Sequence, residues 1–370
     1  MQMQSGQDSE ECRMSKYWSD IAKKIEPYVP GEQPREGQFI KLNTNENPYP
    51  PSPRVIEAID NYDKNRLRLY PDAECHVLRE TIARYYSLEK DQVFIGNGSD
   101  EVLAFAFMAF FTPGKTILFP DISYSFYPVY SQLFSLDYRM VELDEDFNVP
   151  IEKFLVPNHG IVISNPNAPT TKYLDNDSII KILEYNKDSV VIMDEAYIDY
   201  GGDSTVELVN RYPNLLIIQT MSKSRALAGL RVGWALGSSE LIEGMNRIKN
   251  SFNSYTIDSI AQAAATAAIM DEEYFGRIRA KVINTREHIS GILSEMGFKV
   301  AQSRANFLFI SHLEIEAETI FKELRTRGIL VRYFKKPRID NYLRVSIGTD
   351  DEMDQLIRSL RDIISKNIHV

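Results

Sequence analysis

Short, continuous apolar runs punctuate the first two thirds of the chain. They are Val93-Phe94-Ile95, Thr116-Ile117-Leu118-Phe119, Ile161-Val162-Ile163, Val190-Val191-Ile192-Met193 and Leu215-Leu216-Ile217-Ile218. They are rich in branched side chains and do not alternate with polar ones, which predicts strands buried on both faces. Helical periodicity fills the stretches 53–62, 74–86, 102–111, 124–133 and 178–186. This alternation predicts an α/β fold: a mostly parallel sheet covered by helices on both faces. Beyond it, a small-residue helix over 258–268 leads into a long one over 272–296. Strand 307–310, helix 317–327, strands 329–331 and 342–347 and helix 353–364 then predict a smaller α+β domain. At the start, residues 1–14 are polar and aperiodic, the pattern of a disordered extension. A short amphipathic helix over 17–25 ends at Pro27 and Pro30, and Leu42–Pro51, rich in Pro and Asn, reads as an extended arm. The expected division is an arm over 15–45 packing on the small domain, a large domain over 46–270 and a small domain over 271–370.

The polar residues of interest gather where these strands end. In open α/β sheets, ligands bind beyond the carboxyl ends of the strands. Ser99, Asn167, Asp194, Tyr197, Ser222 and Lys223 all follow an apolar run. The turn Gly96-Asn97-Gly98-Ser99-Asp100-Glu101 joins a strand to a helix, with Ser99 or Asp100 as the expected cap. Its free backbone N–H groups suit an anion. Thr220-Met221-Ser222-Lys223, with Arg231 eight residues on, offers hydroxyls and a guanidinium to a phosphate and an amine to a carbonyl. That combination is what pyridoxal phosphate chemistry requires. Asp194 would then stabilise a protonated ring nitrogen, worth about 4 kcal/mol at about 4 Å and an effective dielectric of about 20. Tyr197 would place a phenol near the ring oxygen, and Tyr124 would stack on the ring face. Arg332 and Arg344 lie on or beside apolar strands, where an arginine is either ion-paired or a fork for carboxylate or phosphate. Each residue has a plainer alternative: a solvated basic loop for Lys223, a helix cap for Asp194, a rim aromatic for Tyr124, turn asparagines for the arm.

Composition narrows the partners. Among 370 residues, 42 basic side chains stand against 52 acidic ones, a net charge of −10. Nucleic acid and anionic membranes are therefore disfavoured, and an anionic substrate needs locally concentrated arginines. Two cysteines, Cys12 and Cys75, make no disulfide framework, which fits a reducing compartment. The five histidines show no metal-ligand spacing, so no metal is expected. No apolar stretch reaches membrane-spanning length and the start lacks a signal peptide's apolar core, so a cytoplasmic location is expected.

Taken together, LNTNENPYPPSP (42–53), GNGSDE (96–101), DEAYIDY (194–200), TMSKSRALAGLRVGW (220–234), ANFLFI (305–310) and LRVSIGT (343–349) resemble fold-type I, aspartate-aminotransferase-like pyridoxal phosphate enzymes. More narrowly, they resemble the histidinol-phosphate aminotransferases, over nearly everything from Tyr17 to Ile364. The resemblance implies Lys223 as the Schiff-base lysine, Asp194 on the pyridine nitrogen and Tyr197 on the ring oxygen. It implies Ser99, Asp100, Thr220, Ser222 and Arg231 around the cofactor phosphate, with Tyr70 reaching the phosphate of a neighbouring subunit in a homodimer. Asn45, Arg332 and Arg344 would hold the substrate. One block departs from the pattern: the usual Asn-Pro-Thr-Gly reads Ala168-Pro169-Thr170-Thr171. The ring-oxygen asparagine is thus missing at 168, with Asn167 as the substitute. The implied reaction is transamination between L-histidinol phosphate and 2-oxoglutarate in histidine biosynthesis. An aromatic-amino-acid aminotransferase, a threonine-phosphate decarboxylase or a non-catalytic pyridoxal-phosphate-binding regulator are the alternatives on the same scaffold.

Overall fold

The apolar runs form the centre of the molecule. In the computed structural model, residues 15–29, 31–33, 37 and 39–368 are described. The expected extension over 1–14, Cys12, and Pro30 as a helix stop lie outside the described residues. The strands are β1 (Ile40–Lys41), β2 (Val93–Asn97), β3 (Thr116–Pro120), β4 (Asp137–Val141), β5 (Ile161–Ser164), β6 (Val191–Asp194), β7 (Leu215–Thr220) and β8 (Val232–Gly237). β2 to β8 make one sheet in the order β2-β8-β7-β6-β5-β3-β4. β4, β3, β5, β6 and β7 run parallel, whereas β8 is antiparallel to both β7 and β2. The sheet is therefore mixed, with its parallel part in the middle.

Every residue of β5, β6 and β7 is buried, because helices cover both faces. Ile161, Met193 and Ile217 meet Leu78, Ile182 and Ala264 on one side. Val162, Ile192 and Ile218 meet Phe105, Tyr127 and Met245 on the other. The helix Gly98–Phe110 starts earlier than its apolar pattern suggests. The preceding Asn97 makes no side-chain cap, so Ser99 and Asp100 sit in the first turn and do not cap it. The first helix shrinks to Asp20–Lys24, with the Ser19 hydroxyl accepting from the Ala22 N–H.

The C-terminal part adds β9 (Phe298–Val300), β10 (Phe307–His312), β11 (Ile329–Leu330), β12 (Arg332–Tyr333) and β13 (Leu343–Ser346). Four of these form an antiparallel sheet in the order β12-β13-β10-β9. The expected single strand 329–331 is divided: β11 pairs in parallel with β1, and β12 pairs with β13. That pairing carries Leu42 into a cluster with Val282, Leu324, Val345 and Leu360. Among the described residues, no helix is long and apolar enough to cross a membrane.

Candidate active site

β6 and β7 are neighbours, with Asp194 in register with Ile218, so Asp194 and the Thr220–Lys223 turn emerge side by side. Asp194 is 4% exposed. Its Oδ2 accepts from the Tyr127 hydroxyl at 2.7 Å and its Oδ1 from the Ala196 N–H at 3.3 Å. Burial pushes its carboxyl up to about 6; these two donors pull against that rise, and the charges of Asp100 and Glu195 add to it. A buried carboxylate held only by neutral donors is costly. A cationic ring nitrogen is the group that would relieve it.

Lys223 lies under the N-terminal arm. Its Nζ donates to the Thr44 carbonyl at 3.3 Å and stands 5.7 Å from the centre of the Tyr197 ring. The Tyr197 hydroxyl accepts from Asn45 Nδ2 at 3.1 Å. Asn45 holds a left-handed φ of 56°. It is fixed by Ser346 Oγ, which accepts from its N–H and donates to its Oδ1, each at 2.9 Å. Asn306 Nδ2 donates to its carbonyl at 2.9 Å. Asn47 Nδ2 donates to the carbonyls of Lys223 and Ser224 at 3.2 and 3.1 Å. Asn47 thus clamps the arm to the Lys223 turn and Asn45 clamps it to Tyr197 and Ser346, so neither is simply a turn former.

A cradle forms where β2 meets the helix at Gly98. Asp100 accepts from the Tyr124 hydroxyl at 2.7 Å and from Arg231 Nη2 at 3.2 Å. Arg231 Nη1 reaches Ser222 Oγ at 3.4 Å, and the Thr220 hydroxyl donates to Ser222 Oγ at 3.0 Å. Backbone crowds in from β8: a Cβ at Gly233 would stand 2.5 Å from the Ser99 nitrogen. Ser99, Asp100, Thr220, Ser222 and Arg231 therefore meet at one helix N-terminus, which fits a phosphate.

Asn167 is fully engaged. Its amide nitrogen donates to the Ile122 carbonyl and to Thr170 Oγ1, both at 2.8 Å, and its Oδ1 accepts from Ser123 at 2.8 Å. Both amide protons are used, so donating to a ring oxygen means releasing one partner. The Tyr197 hydroxyl, by contrast, accepts from Asn45 and donates to no acceptor among the described residues. At the end of the same turn, Thr171 holds a φ of 66° and its hydroxyl reaches the Gln302 carbonyl at 3.0 Å.

Arg332 and Arg344 stand directly opposite each other on β12 and β13. Arg344 Nη2 donates to the Asn43 carbonyl at 2.8 Å, while its buried Nε has no partner among the described residues. Burial and the neighbouring Arg332 hold its guanidinium below the usual arginine value, against the pull of Tyr197. Arg332 Nη2 meets the Val29 carbonyl at 3.3 Å. Backbone carbonyls and aromatic faces surround both, Phe307 and Phe334 for Arg344 and Phe334 for Arg332, which leaves their charges available to an anion. Tyr70 is 81% exposed and stacks on Tyr255 at 4.6 Å.

Tyr127, Asn43, Asn47 and Ser346 went unnoticed in the sequence. Each contacts the site through a partner distant in the chain, and only the crowding of asparagines in the arm hinted at any of them.

The family aminotransferase class I and II matches residues 37–360. The histidinol-phosphate aminotransferase of Clostridium acetobutylicum is 59% identical over 352 residues, 95% of this chain and 100% of the relative. That of Clostridium botulinum (strain Langeland) is 61% identical over 353 residues, again 95% and 100%. The crystal structure of the Sinorhizobium meliloti histidinol-phosphate aminotransferase in complex with pyridoxal-5'-phosphate shares the fold. Its TM-score is 0.87 at 22% identity, covering 96% of this chain and 99% of that one. With this likeness running the length of the chain and through the site just described, the chain belongs to the class I and II aminotransferases and, within them, to the histidinol-phosphate aminotransferases.

Proposed function

We propose that the chain catalyses the reversible transamination of L-histidinol phosphate with 2-oxoglutarate, giving imidazole acetol phosphate and L-glutamate, in histidine biosynthesis. The cofactor is pyridoxal 5'-phosphate. The enzyme works as a cytoplasmic homodimer, its cleft lying between a large domain (46–270) and a small one (271–370) with the 15–45 arm. One observation carries the chemistry: a buried carboxylate without a cationic partner among the described residues emerges beside an amine, near two arginines whose contacts there are carbonyls and aromatic faces. The substrate follows from the relatives that share about 60% of the sequence.

When bound, pyridoxal phosphate supplies a carbonyl that takes up the amino group and a ring that draws electrons from the reacting carbon. Asp194 would hold the cationic ring nitrogen, and Tyr197 would offer its hydroxyl proton to the ring oxygen. The hydroxyls of Ser99, Thr220 and Ser222, the Arg231 guanidinium oriented by Asp100, and the partner subunit's Tyr70 hold the phosphate. Tyr124 covers the ring face and excludes water, and Asn167 shapes the turn beside it. Lys223 Nζ would hold the cofactor's carbonyl carbon, and its amine, when free, is the base placed to move the proton at the substrate Cα. Arg332 and Arg344 grip the phosphate of one substrate and the second carboxylate of the other, with Asn45 closing the site.

Holoenzyme given L-histidinol phosphate and 2-oxoglutarate is expected to form L-glutamate, and Lys223→Ala to form none. The panel includes phenylalanine, tyrosine and threonine phosphate as donors. A strong preference for phenylalanine over histidinol phosphate would overturn the substrate assignment.

A further inference from the structure

The seam between the two sheets is closed by an arginine that takes no part in the chemistry above. Arg338 stands in the loop between β12 and β13, the strands that carry Arg332 and Arg344. Its Nη1 pairs with Asp121 Oδ2 at 2.9 Å. Its Nη2 donates to the carbonyls of Leu143 at 2.8 Å and Asp144 at 2.7 Å. The Arg338 and Asp121 side chains are 31% and 23% exposed, so water screens the pair only in part. Arg338 holds a φ of 70°, a conformation that a side-chain-bearing residue adopts only when its surroundings impose it. Those surroundings are apolar. Ile339 packs with Ile122, Leu143, Phe147 and Phe309. Tyr342 stacks on Phe309 at 4.5 Å and meets Phe147 edge-on at 5.4 Å.

Asp121 opens the segment that follows β3, and its other oxygen accepts from the Leu143 N–H at 3.0 Å. The next three residues all touch the site. The Ile122 carbonyl and the Ser123 hydroxyl hold the Asn167 amide, and the Tyr124 hydroxyl binds Asp100. The Asp121 prong thus joins the strand pair bearing both arginines to the segment bearing the ring-face tyrosine, while the Leu143 and Asp144 prongs hold the segment whose N–H donates to Asp121. An isolated surface ion pair would contribute little. Here one guanidinium spans three hydrogen-bond acceptors at the edge of an apolar cluster, with Glu142 Oε1 3.6 Å from the same Nη1, and the Asp121 side of the contact leads directly into the site.

We propose that Arg338 and Asp121 form a positioning clasp. It sets the placement of the Arg332–Arg344 pair relative to Asp194 and Lys223, and so the affinity for the substrate phosphate or carboxylate that those arginines hold. The inference rests on the reading of those two arginines as the substrate's anion holders.

The test uses holoenzyme, with succinate as an unreactive dicarboxylate probe measured by calorimetry and steady-state kinetics measured alongside. Arg338→Ala and Asp121→Asn are each expected to weaken succinate binding about ten-fold, the scale of one charge-assisted contact. KM for 2-oxoglutarate should rise in step, kcat should stay within about two-fold and cofactor content should be unchanged. Arg338→Lys should restore part of the loss, and the double variant should be no worse than Arg338→Ala alone. Unchanged succinate binding in both single variants, additive losses in the double, or a fall in kcat with KM unchanged would overturn the clasp. If Arg338→Ala does not fold, Asp121→Asn and Arg338→Lys carry the same comparison. Arg344→Ala separates the two readings. If it leaves succinate binding intact, the anion-holder assignment fails. If it abolishes binding while the clasp variants do not weaken it, only the clasp fails.

Discussion

Burial holds the Asp194 carboxyl near 6, against an ordinary value of about 3.9 for an exposed aspartate. A carboxyl raised on folding favours the folded state while protonated, and that contribution is lost as pH rises through the folded value. Without cofactor, Asp194 is therefore expected to weaken the fold progressively between about pH 4 and 7. Other carboxylates titrate in the same window, so the comparison is with Asp194→Asn. The variant's stability relative to the parent, from urea unfolding, should rise on the order of 2–3 kcal/mol across that window and then level off. Saturating pyridoxal phosphate should close the gap. Thr171 is a different case: its left-handed φ suits glycine, and its hydroxyl reaches Gln302. Ala and Gly both remove that hydroxyl, but only Ala keeps the Cβ clash. Thr171→Gly should accordingly be about 1 kcal/mol more stable than Thr171→Ala in chemical denaturation. Lys223 stands out in the sequence as a lysine among hydroxyls after a buried strand, a pattern that a solvated basic loop would share. The commitment of Asn167 to Ile122, Ser123 and Thr170 does not, since nothing local says which way an amide points.

Runs such as Ile161–Ile163 and Leu215–Ile218 identified β5 and β7 because a strand buried on both faces needs no polar alternation. The same rule passed over β8 and β4. In Val232-Gly233-Trp234-Ala235-Leu236-Gly237 two glycines interrupt the branched pattern, yet β8 is wholly buried between β7 and β2. Asp137-Tyr138-Arg139-Met140-Val141 is largely exposed at the sheet edge, where charge protects against further pairing. Gly233 is needed because the backbone of Gly98 and Ser99 presses against it. Gly233→Ala should destabilise by about 1–3 kcal/mol, since backbone, not a flexible side chain, has to move. It should also loosen cofactor retention, measurable by dialysis and absorbance, because the displaced turn is the proposed phosphate cradle.

For the assembled molecule, the exposed Tyr70 is the informative residue. It is held against Tyr255, and the loop after it is fixed by Lys249, whose Nζ donates to the Ala73 carbonyl at 2.7 Å. A fixed loop that displays an exposed aromatic ring suits the proposed sharing of sites between subunits. Mixing Tyr70→Ala with Lys223→Ala subunits should then regenerate intact sites. At limiting cofactor, activity should return to about a quarter of the parent value if subunits pair at random. Sedimentation should report a dimer, and mixtures no better than the separate variants would rule out shared sites.

Most of the buried strands, the helices between them and the polar residues that end them can be read in the linear chain. Hydrophobic period and turn chemistry act over a few neighbouring positions, so they can be read there. Contacts such as Asn45 with Tyr197, 152 positions apart, and Arg338 with Asp121, 217 apart, arise otherwise. So does the placement of Arg332 opposite Arg344. These depend on strand register and on how the two sheets pack. A shift of one residue in register would turn an arginine to the other face, and no short stretch of sequence encodes that outcome alone.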